Sequence, residues 1–555
     1  INIVDTPGHA DFSSEVERII KTVDTVILLV DSSEGPMPQT RFVLQKSLDQ
    51  GLVPILLINK IDKKDARIEE VVNEVYELFM DLEAADEQLD FKILYGIARQ
   101  GIVVRDPAEA AAIGIEPGQG SGKAKKSAAG RGGLNINPLF ETIIEQVGGY
   151  PDRSQEPLQF QISSLGYDDY IGRLGIGRIE KGIIHKGQTV AVVGAGGESR
   201  LHKVSRLFVY KGLHRAEVET VVCGDIGVIS GIDDLTIGDA ICEQDHPVQL
   251  PSIKIEEPTL SMNFIVNSSP FAGREGRYVT TRHLKERLEK ELEINVGLLV
   301  EPAGTTDAFK VSGRGELHLS ILIENMRREG YELSISKPEV ILKKDARGQL
   351  AEPVEEVMIE VPEKYAGGVI SELNLRKGVM KGMNGKNGRA KLIYTAPTRG
   401  LLGFRSQFIN QTHGEGTLVR RFCGYEEYKG EIEERAHGAI IALEEGVTTP
   451  YALHNIGERA EMFVAPGTRV YEGMIVGLNS RREDMVVNPC KAKRTSNMRA
   501  AGSDEAIKLT PHREFTLEEA LEFINGDELV EITPSSIRLR KKLLKELDRK
   551  RAAHR

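Results

Sequence analysis

Continuous apolar runs alternate with amphipathic stretches along roughly the first 150 residues of the chain. The runs lie at 3–4, 26–30 and 55–58, and the amphipathic stretches lie at about 12–22, 39–50 and 66–83. Strands that are apolar at every position are typical of a parallel sheet covered by helices on both faces. The alternation therefore predicts an α/β domain over 1–150 whose functional residues follow the carboxyl ends of its strands.

The pattern changes repeatedly after that domain, which predicts a multidomain chain. The further units are expected at 157–250, 256–345, 353–435 and 436–555. Short strands separated by glycines predict a small β-barrel for the first of these units. The second and third combine strands with helices as α+β units of the split βαβ kind do, with a Gly-rich hairpin expected at 377–388. The last unit is strand-rich.

Ala-rich and then Gly-, Ser- and Lys-rich sequence interrupts the first domain between about 107 and 134. Such composition is typical of a mobile surface insertion. Gly122-Lys123 resembles the end of a phosphate-binding loop, but Ala124 stands where a Ser or Thr must reach Mg²⁺. No phosphate site is therefore assigned to the insertion.

The 555 residues carry a formal net charge of −11, yet two segments near the C-terminus are strongly basic. Residues 538–555 hold nine Lys or Arg against two acids, and residues 491–499 hold four cations and no acid. Segments of this kind are attracted to RNA phosphates through counterion release. The alternative interpretation is a solvated helix followed by a flexible tail.

Several classes of protein are excluded by composition. The four cysteines are widely spaced and form no C-x-x-C pair, which indicates reduced thiols rather than a disulfide or zinc framework. No apolar run approaches the ~18 residues of a membrane span, and no export signal opens the sequence. We expect a cytoplasmic protein that does not enter membranes, with an organelle as the open alternative.

Asp5-Thr-Pro-Gly8-His9 follows the first apolar run. In a nucleoside-triphosphate site, an Asp at such a position holds Mg²⁺ through water, and the backbone N–H of the Gly approaches the third phosphate. His9 is placed to orient the attacking water, a role that other GTPases give to Gln. We therefore expect Asp5 to serve the metal, and Gly8 and His9 to serve catalysis.

Asn59-Lys60-Ile61-Asp62 follows the third apolar run and has the groups needed to recognise guanine. The Asp62 carboxylate can accept two hydrogen bonds from the base, Asn59 meets the opposite edge, and the Lys60 stem packs on the ring. Adenine would leave Asp62 unpaired, a loss that such sites convert into roughly 10⁴-fold discrimination. Together the two motifs predict a hydrolase that binds GTP and GDP.

Such a hydrolase also needs a Gly-x-x-x-x-Gly-Lys-Ser/Thr loop on an earlier strand, and these 555 residues contain none. The sequence is therefore expected to be cut at its N-terminus, and the chain as given is expected to be inactive. The competing hypothesis is a non-catalytic RNA-binding factor that mimics a translation factor through the domains after residue 157.

Longer stretches extend these motifs. Asp5-Thr-Pro-Gly-His-Ala-Asp-Phe12, Asn59-Lys-Ile-Asp62 and Gly313-Arg-Gly-Glu-Leu-His318 look like those of elongation-factor GTPases. More specific stretches lie at Gly400-Leu-Leu-Gly-Phe-Arg-Ser406, Gly414-Glu-Gly416, Thr495-Ser-Asn-Met-Arg499 and 529–538. With them the chain resembles the BipA/TypA family of ribosome-associated translational GTPases over essentially its whole length, apart from the insertion. A LepA-like translation factor is a further alternative.

The resemblance implies a truncated P-loop GTPase domain, a β-barrel, two ferredoxin-like α+β domains and a strand-rich, family-specific C-terminal domain. It implies GTP or GDP and Mg²⁺ as ligands, and action in stress adaptation and large ribosomal subunit assembly. The expected partners are the ribosome, through its rRNA and proteins, and the acceptor end of tRNA. The chain itself is expected to be a monomer.

Two sets of residues are implied by the family's motifs. The Ser-Ala element, whose backbone N–H meets the guanine O6, matches Ile97-Ala98, so Ala98 keeps the N–H while a turn-stabilising hydroxyl is lost. The family's RNA-binding basic loop matches Lys491, Lys493, Arg494, Asn497 and Arg499.

Overall fold

The computed structural model describes residues 1–6, 13–112, 135–251, 253, 257–345, 347–386, 388–432, 435, 437–492 and 509–553. The chain divides into two compact units, Ile1–Ile255 and Glu256–Arg555. Of the helices that the structure describes, none has the length and apolar character required to cross a membrane.

The first unit begins with a four-stranded sheet between helices. Its strands are Ile27–Asp31 (β1), Ile55–Asn59 (β2), Ile93–Ile97 (β3) and Ile102–Val104 (β4), in that order across the sheet. Its helices are Ser13–Ile20 (α1), Pro38–Asp49 (α2), Ile68–Asp81 (α3), Asp86–Leu89 (α4), Pro107–Ala112 (α5) and Asn137–Gln146 (α6). Strands β1, β2 and β3 are parallel. Alternate residues of β2 pack into two different apolar cores, one with α3 and one with α6, so the sheet is covered on both faces.

The prediction of a strand at Ile3-Val4 is wrong. Residues 1–6 have no regular structure, and Ile1 and Ile3 are 72% and 71% exposed. An apolar run becomes a strand only where a neighbour pairs with its backbone, and the outer edge of β1 pairs with no other described strand. The insertion expected at about 107–134 begins with α5, Pro107–Ala112. The remainder, 113–134, lies outside the described residues.

An antiparallel, strand-rich region follows in the first unit. Its strands are Gln159–Asp168 (β5), Gly172–Lys181 (β6), Ile183–His185 (β7), Thr189–Val193 (β8), Ser199–Lys203 (β9), Arg206–Lys211 (β10), His214–Glu217 (β11), Thr220–Val222 (β12), Ile226–Ser230 (β13) and Ala240–Glu243 (β14). Eight of them form one sheet in the order β11-β10-β13-β6-β5-β14-β8-β9, and β12 pairs with β7. Gly182 turns the chain after β6 with φ 75°, where a Cβ would lie 2.7 Å from the Leu158 Cα. Only glycine fits that turn.

The second unit opens with two split βαβ folds. The first contains Leu260–Val266 (β15), Thr281–Ile294 (α7), Leu299–Pro302 (β16), Ala308–Gly313 (β17), Glu316–Glu329 (α8) and Leu333–Ser336 (β18), followed by Glu339–Val340 (β19). The second contains Lys343–Lys344 (β20), Leu350–Pro362 (β21), Glu363–Leu375 (α9), Val379–Lys386 (β22), Arg389–Pro397 (β23), Thr398–Leu401 (α10), Phe404–Gln411 (α11) and Thr417–Glu427 (β24). Their strand orders, β16-β17-β15-β18 and β22-β23-β21-β24, are the ferredoxin-like order, so this prediction is confirmed.

The strand-rich C-terminal region continues the first of these sheets. Its elements are Ala439–Ala442 (β25), Gly446–Val447 (β26), Pro450–Gly457 (α12), Ala460–Met462 (β27), Arg469–Val470 (β28), Met474–Asn479 (β29), Met485–Val487 (β30), Leu517–Phe523 (α13), Glu528–Ile532 (β31), Ile537–Lys541 (β32) and Glu546–Ala553 (α14). Because β18 pairs with β31, an 11-stranded sheet runs through both regions. The two regions share one apolar core.

The phosphate-attracting interpretation of residues 538–555 is wrong for their first part. Arg540 and Lys541 lie on β32 and are each 2% exposed. Arg538 forms ion pairs with Glu531 and Glu275. An acid of the adjacent strand and one from a distant part of the sequence therefore pair with Arg538, and Arg540 and Lys541 are buried.

Candidate functional site

The carboxyl ends of the three parallel strands meet at one edge of the first sheet. Asp31 at the end of β1 lies opposite Asn59 at the end of β2, and Asn59 lies opposite Gly96 of β3. The loops that leave these strands therefore emerge side by side. Asn59 of the Asn59–Asp62 motif therefore lies on the strand next to the one that leads to Ala98.

The Asn59 side chain connects the loop after β2 with the loop after β3. Its Oδ1 accepts hydrogen bonds from the backbone N–H of Ala98, at 3.0 Å, and of Lys60, at 2.8 Å. Ala98 begins a short 3₁₀ turn, Ala98–Gln100, that ends at Gly101 with φ 67°. Asn59 thus supports the turn from the neighbouring strand, in a loop that lacks the hydroxyl of the family's Ser-Ala element.

Lys60 has an anchored ammonium group. Its backbone is left-handed, with φ 62°, and its Nζ lies 2.8 Å from Asp31 Oδ2. The Nζ of Lys63 lies 3.0 Å from the same oxygen and 2.8 Å from Ser33 Oγ. The stem of Lys60 therefore crosses the edge of the sheet toward Asp31.

The electrostatics of this edge depend on Asp31, whose side chain is 11% exposed. Burial raises the pKa of Asp31, but hydrogen bonds from Lys60, Ser33 and Lys63 outweigh burial and hold that pKa well below its usual range. The hydrogen bond to Asp31 in turn raises the pKa of Lys60. Both groups are therefore charged at neutral pH.

Sequence reasoning assigned no role to the side chains of Asp31, Ser33 and Lys63. The available signal was an Asp at the end of an apolar run in a predicted parallel sheet, in register with Asn59. Lys63 carried no signal of its own, because its contact with Asp31 depends on how the loop after β2 folds back toward β1.

Asp62 is the acidic group of this edge that remains available to a ligand. It is partly exposed, and its carboxylate makes no hydrogen bond or ion pair with another described residue. Nearby cations are already engaged, since both Lys60 and Lys63 bind Asp31. A base with two adjacent N–H donors would satisfy the free carboxylate.

The predicted phosphate side of the site is only partly described. Asp5 is exposed, and its Oδ1 accepts the Thr6 N–H at 3.0 Å. Gly8 and His9 lie outside the described residues. Within the ranges that are described, no group of three or more His, Cys, Asp or Glu could hold a metal ion.

The segment that follows α1 is linked to the antiparallel, strand-rich region of the same unit. Arg178 on β6 has a side chain that is 6% exposed, and its Nη2 lies 2.7 Å from Asp24 Oδ1. Its Nη1 donates to the Thr22 carbonyl at 3.3 Å, two residues past α1, and its guanidinium lies over the Tyr150 ring at 4.2 Å. No sequence pattern predicted this contact.

The predicted RNA-binding loop is described only at its beginning. Lys491 is exposed, and its carbonyl accepts the Thr449 hydroxyl at 2.7 Å. The structure does not describe Lys493, Arg494, Asn497 and Arg499. A cavity of about 640 Å³ lies where the described chain resumes at Leu509, and its lining includes His437, His454, Arg459 and His512.

Four protein families match successive parts of the chain. The Elongation factor Tu GTP binding domain matches residues 1–148, and Elongation factor Tu domain 2 matches 172–242. The Elongation factor G C-terminus matches 349–436, and the TypA/BipA C-terminal domain matches 437–546. The matches confirm the predicted multidomain fold class.

Proteins named large ribosomal subunit assembly factor BipA are similar to this chain over all of its 555 residues. The Bacillus subtilis (strain 168) protein is 47% identical, and the alignment covers 100% of this chain and 87% of that protein. The Haemophilus influenzae protein is 47% identical with 86% of its length covered, and the Escherichia coli (strain K12) protein is 46% identical with 88% covered.

Proposed function

Because the chain belongs to the TypA/BipA family, we propose that it is a ribosome-binding GTPase that acts in assembly of the large ribosomal subunit. The observation that carries the proposal is the hydrogen bond between Asn59 and Ala98, which joins the Asn59–Asp62 loop to the next loop along the sheet edge. Asp62 supplies the pair of acceptors, Asn59 the side-chain amide and Ala98 the backbone donor that guanine requires.

Base recognition is proposed to work through groups that the fold holds in place. The free Asp62 carboxylate accepts from the guanine N1–H and exocyclic amine, while the Lys60 stem, tethered to Asp31, covers the ring. The Ala98 N–H, which bonds to Asn59 here, is the donor proposed for the guanine O6. Adenine offers Asp62 no pair of donors, so it is excluded.

Hydrolysis is proposed to depend on Asp5, Gly8 and His9. The exposed Asp5 carboxylate fits a Mg²⁺ ion held through water, and Mg²⁺ is usually bound by one or two carboxylates together with substrate phosphates. Such an ion neutralises charge on the phosphates when bound. His9 orients the attacking water and the Gly8 N–H contacts the third phosphate. Ribosome binding is proposed to accelerate slow intrinsic hydrolysis, by up to about 10⁵-fold in comparable switch GTPases.

We further propose that these 555 residues do not hydrolyse GTP unless a Gly-x-x-x-x-Gly-Lys-Ser/Thr loop is supplied, because none occurs among them. Lys491, Lys493, Arg494, Asn497 and Arg499 are proposed to contact RNA, including the acceptor end of tRNA. The chain is proposed to act as a cytoplasmic monomer in stress adaptation.

A fluorescent GTP-analogue titration tests the proposal, with and without ribosomes, on the 555-residue chain and on a version extended upstream by a phosphate loop. We expect tight binding in the extended version alone. In that version, Asp62→Asn should weaken GTP binding at least 100-fold and permit xanthosine triphosphate, whose 2-oxygen accepts from the new amide. Asp65→Asn, an exposed neighbour, is the matched control.

Two results would contradict the proposal. Equal GTP affinity of the Asp62→Asn and Asp65→Asn variants would remove Asp62 from the base site. Ribosome binding that is equally strong in both chain lengths and indifferent to nucleotide would favour the non-catalytic RNA-binding factor.

A further inference from the structure

The β22–β23 hairpin concentrates positive charge. Residues 376–391 hold six Lys or Arg and no acid, within a chain of net charge −11. The hairpin forms one end of the second ferredoxin-like sheet, and β22 is its edge strand. A run of this kind in a loop or strand is often a solvated surface, so the contacts of the individual side chains decide its meaning.

Two of the six cations are used within the domain. Arg376 binds Glu372, the carbonyls of Gly400 and Leu402, and the Gln407 side chain. Arg389 lies 2.7 Å from Glu360. These two arginines serve the fold and offer little positive charge to a ligand.

Three other cations have no partner. Lys377, Lys381 and Lys391 are exposed, and none makes a side-chain hydrogen bond or ion pair with a described residue. Other surface cations of the same region are neutralised, as in the pairs Lys364–Glu415, Arg421–Glu356 and Lys429–Glu426. Three cations without a partner among the described residues thus lie within residues 377–391.

The backbone of β22 presents one of these lysines outward. The register between β22 and β23 shifts between Met380 and Gly382, so Lys381 has no residue opposite it on β23. Such a bulge redirects the side chain at that point. Beside it, a Cβ placed on Gly382 would meet nothing within 4 Å. The strand therefore offers an open backbone position next to a free ammonium group.

We propose that the β22–β23 hairpin binds the phosphate backbone of structured RNA through Lys377, Lys381 and Lys391. Charge complementarity selects this occupant, because unpaired ammonium groups attract phosphates and release counterions when they bind them. The inference rests on the proposed association with ribosomes, and it assigns part of that association to a surface far along the chain from the 491–499 segment.

The test compares two triple variants of the chain extended upstream by a phosphate loop. Lys377→Gln, Lys381→Gln and Lys391→Gln remove the free cations, whereas Lys343→Gln, Lys364→Gln and Lys429→Gln remove three cations that are paired with acids. Both variants change the net charge equally. Binding to isolated large ribosomal subunits, and to a labelled RNA hairpin of about 20 base pairs, is measured as a function of salt concentration.

We expect the hairpin variant to lose at least about 10-fold in affinity and to reduce the slope of log affinity against log salt by about 3, one for each phosphate contact. The control variant should keep a slope close to that of the unaltered chain. Equal losses in both variants would mean that net charge alone is responsible, and this would overturn the inference.

Two further outcomes separate this inference from the proposed function. If the extended chain without substitutions fails to bind ribosomal subunits in the presence of a GTP analogue, the proposed function fails. If it binds them and the hairpin variant binds equally well, only the inference fails. Unchanged RNA binding together with new self-association of the hairpin variant would show that the lysines merely guard the edge strand against pairing.

Discussion

Strand β32 and the β22–β23 hairpin are both rich in basic residues and belong to the same unit, yet their surroundings are opposite. The cations of β32 are surrounded by acids or buried in the sheet, and Lys541 has a side chain that is 3% exposed. Those of the hairpin include three that are exposed and have no partner in the part of the chain that the structure describes. Positive charge in β32 therefore stabilises the junction of two regions, while positive charge in the hairpin remains available for binding.

The difference arises from what each strand lies beside. The Nζ of Lys541 is 2.6 Å from Asp484, 2.8 Å from Asp527 and 2.9 Å from Glu528. Strand β32 lies between β31, which carries Glu528, and β29. Among the described strands, β22 has a neighbour on one side only. An edge strand has half the neighbours of an internal one, which leaves fewer groups that could neutralise Lys381 on β22.

Removing Lys541 should have the largest effect. In Lys541→Met, Glu528 would stay buried at 0% exposure with only Arg435 as a cation, and Asp484 and Asp527 would repel it. Breaking a buried ion pair in this way costs about 3–5 kcal/mol. We expect faster hydrogen exchange of the β31–β32 amides and a lower temperature of unfolding for the second unit.

Lys542→Met provides the control for this substitution, because Lys542 is the exposed next residue. It should change the free energy of unfolding by less than about 0.5 kcal/mol. Equal destabilisation by the two variants would show that the acids around Lys541 contribute nothing specific.

The second prediction concerns acid stability at the same junction. Burial raises the pKa of Glu275, but hydrogen bonds from Ser535, Thr533 and Arg538 outweigh burial and lower that pKa from 4.5 to about 2. A carboxyl with a depressed pKa stabilises the fold above its unfolded pKa, and this contribution is lost as the pH falls. The loss should extend from about pH 4.5 to about pH 2 and amount to roughly 3 kcal/mol.

Urea unfolding of Glu275→Gln measured between pH 2 and pH 7 tests this expectation. The variant should be less stable than the unaltered chain at pH 7, and the difference should shrink toward pH 2. Glu301→Gln, an exposed carboxyl on β16, should leave the pH profile as it is. A constant difference at every pH would exclude the ionised Glu275 carboxylate as the cause.

These outcomes also show how far the sequence could predict the molecule. The juxtaposition of Asp31 and Asn59 follows from a local rule, since each ends an apolar run and parallel strands bring their carboxyl ends together, whereas Ala98 was assigned only by resemblance to a family motif. The neutralisation of Arg538 on β32 does not follow from a local rule, because its partner Glu275 lies more than 250 positions away in the sequence. Local periodicity identifies strands and site loops, whereas neutralisation of charge depends on contacts between distant segments.

A smaller effect is expected for Tyr471→Phe. The buried Tyr471 hydroxyl donates to Glu531 Oε2 at 2.6 Å, and burial raises the pKa of Tyr471 well above its usual value. Glu531 keeps hydrogen bonds from Asn267 and Ser269 when this hydroxyl is removed. We therefore expect a loss of about 1–2 kcal/mol in thermal unfolding, and a negligible loss for Tyr170→Phe, which is 97% exposed.

The smallest effect on stability is expected where the largest effect on RNA binding is proposed. Replacing Lys377, Lys381 and Lys391 by Gln removes no contact to a described residue, so the free energy of unfolding should change by less than about 0.5 kcal/mol. Reduced repulsion among the three cations acts in the stabilising direction. Thermal unfolding of the triple variant measures this change in the same experiment as Lys541→Met. A loss comparable to that of Lys541→Met would mean that the hairpin lysines serve the fold, and the contrast between the two basic segments would then disappear.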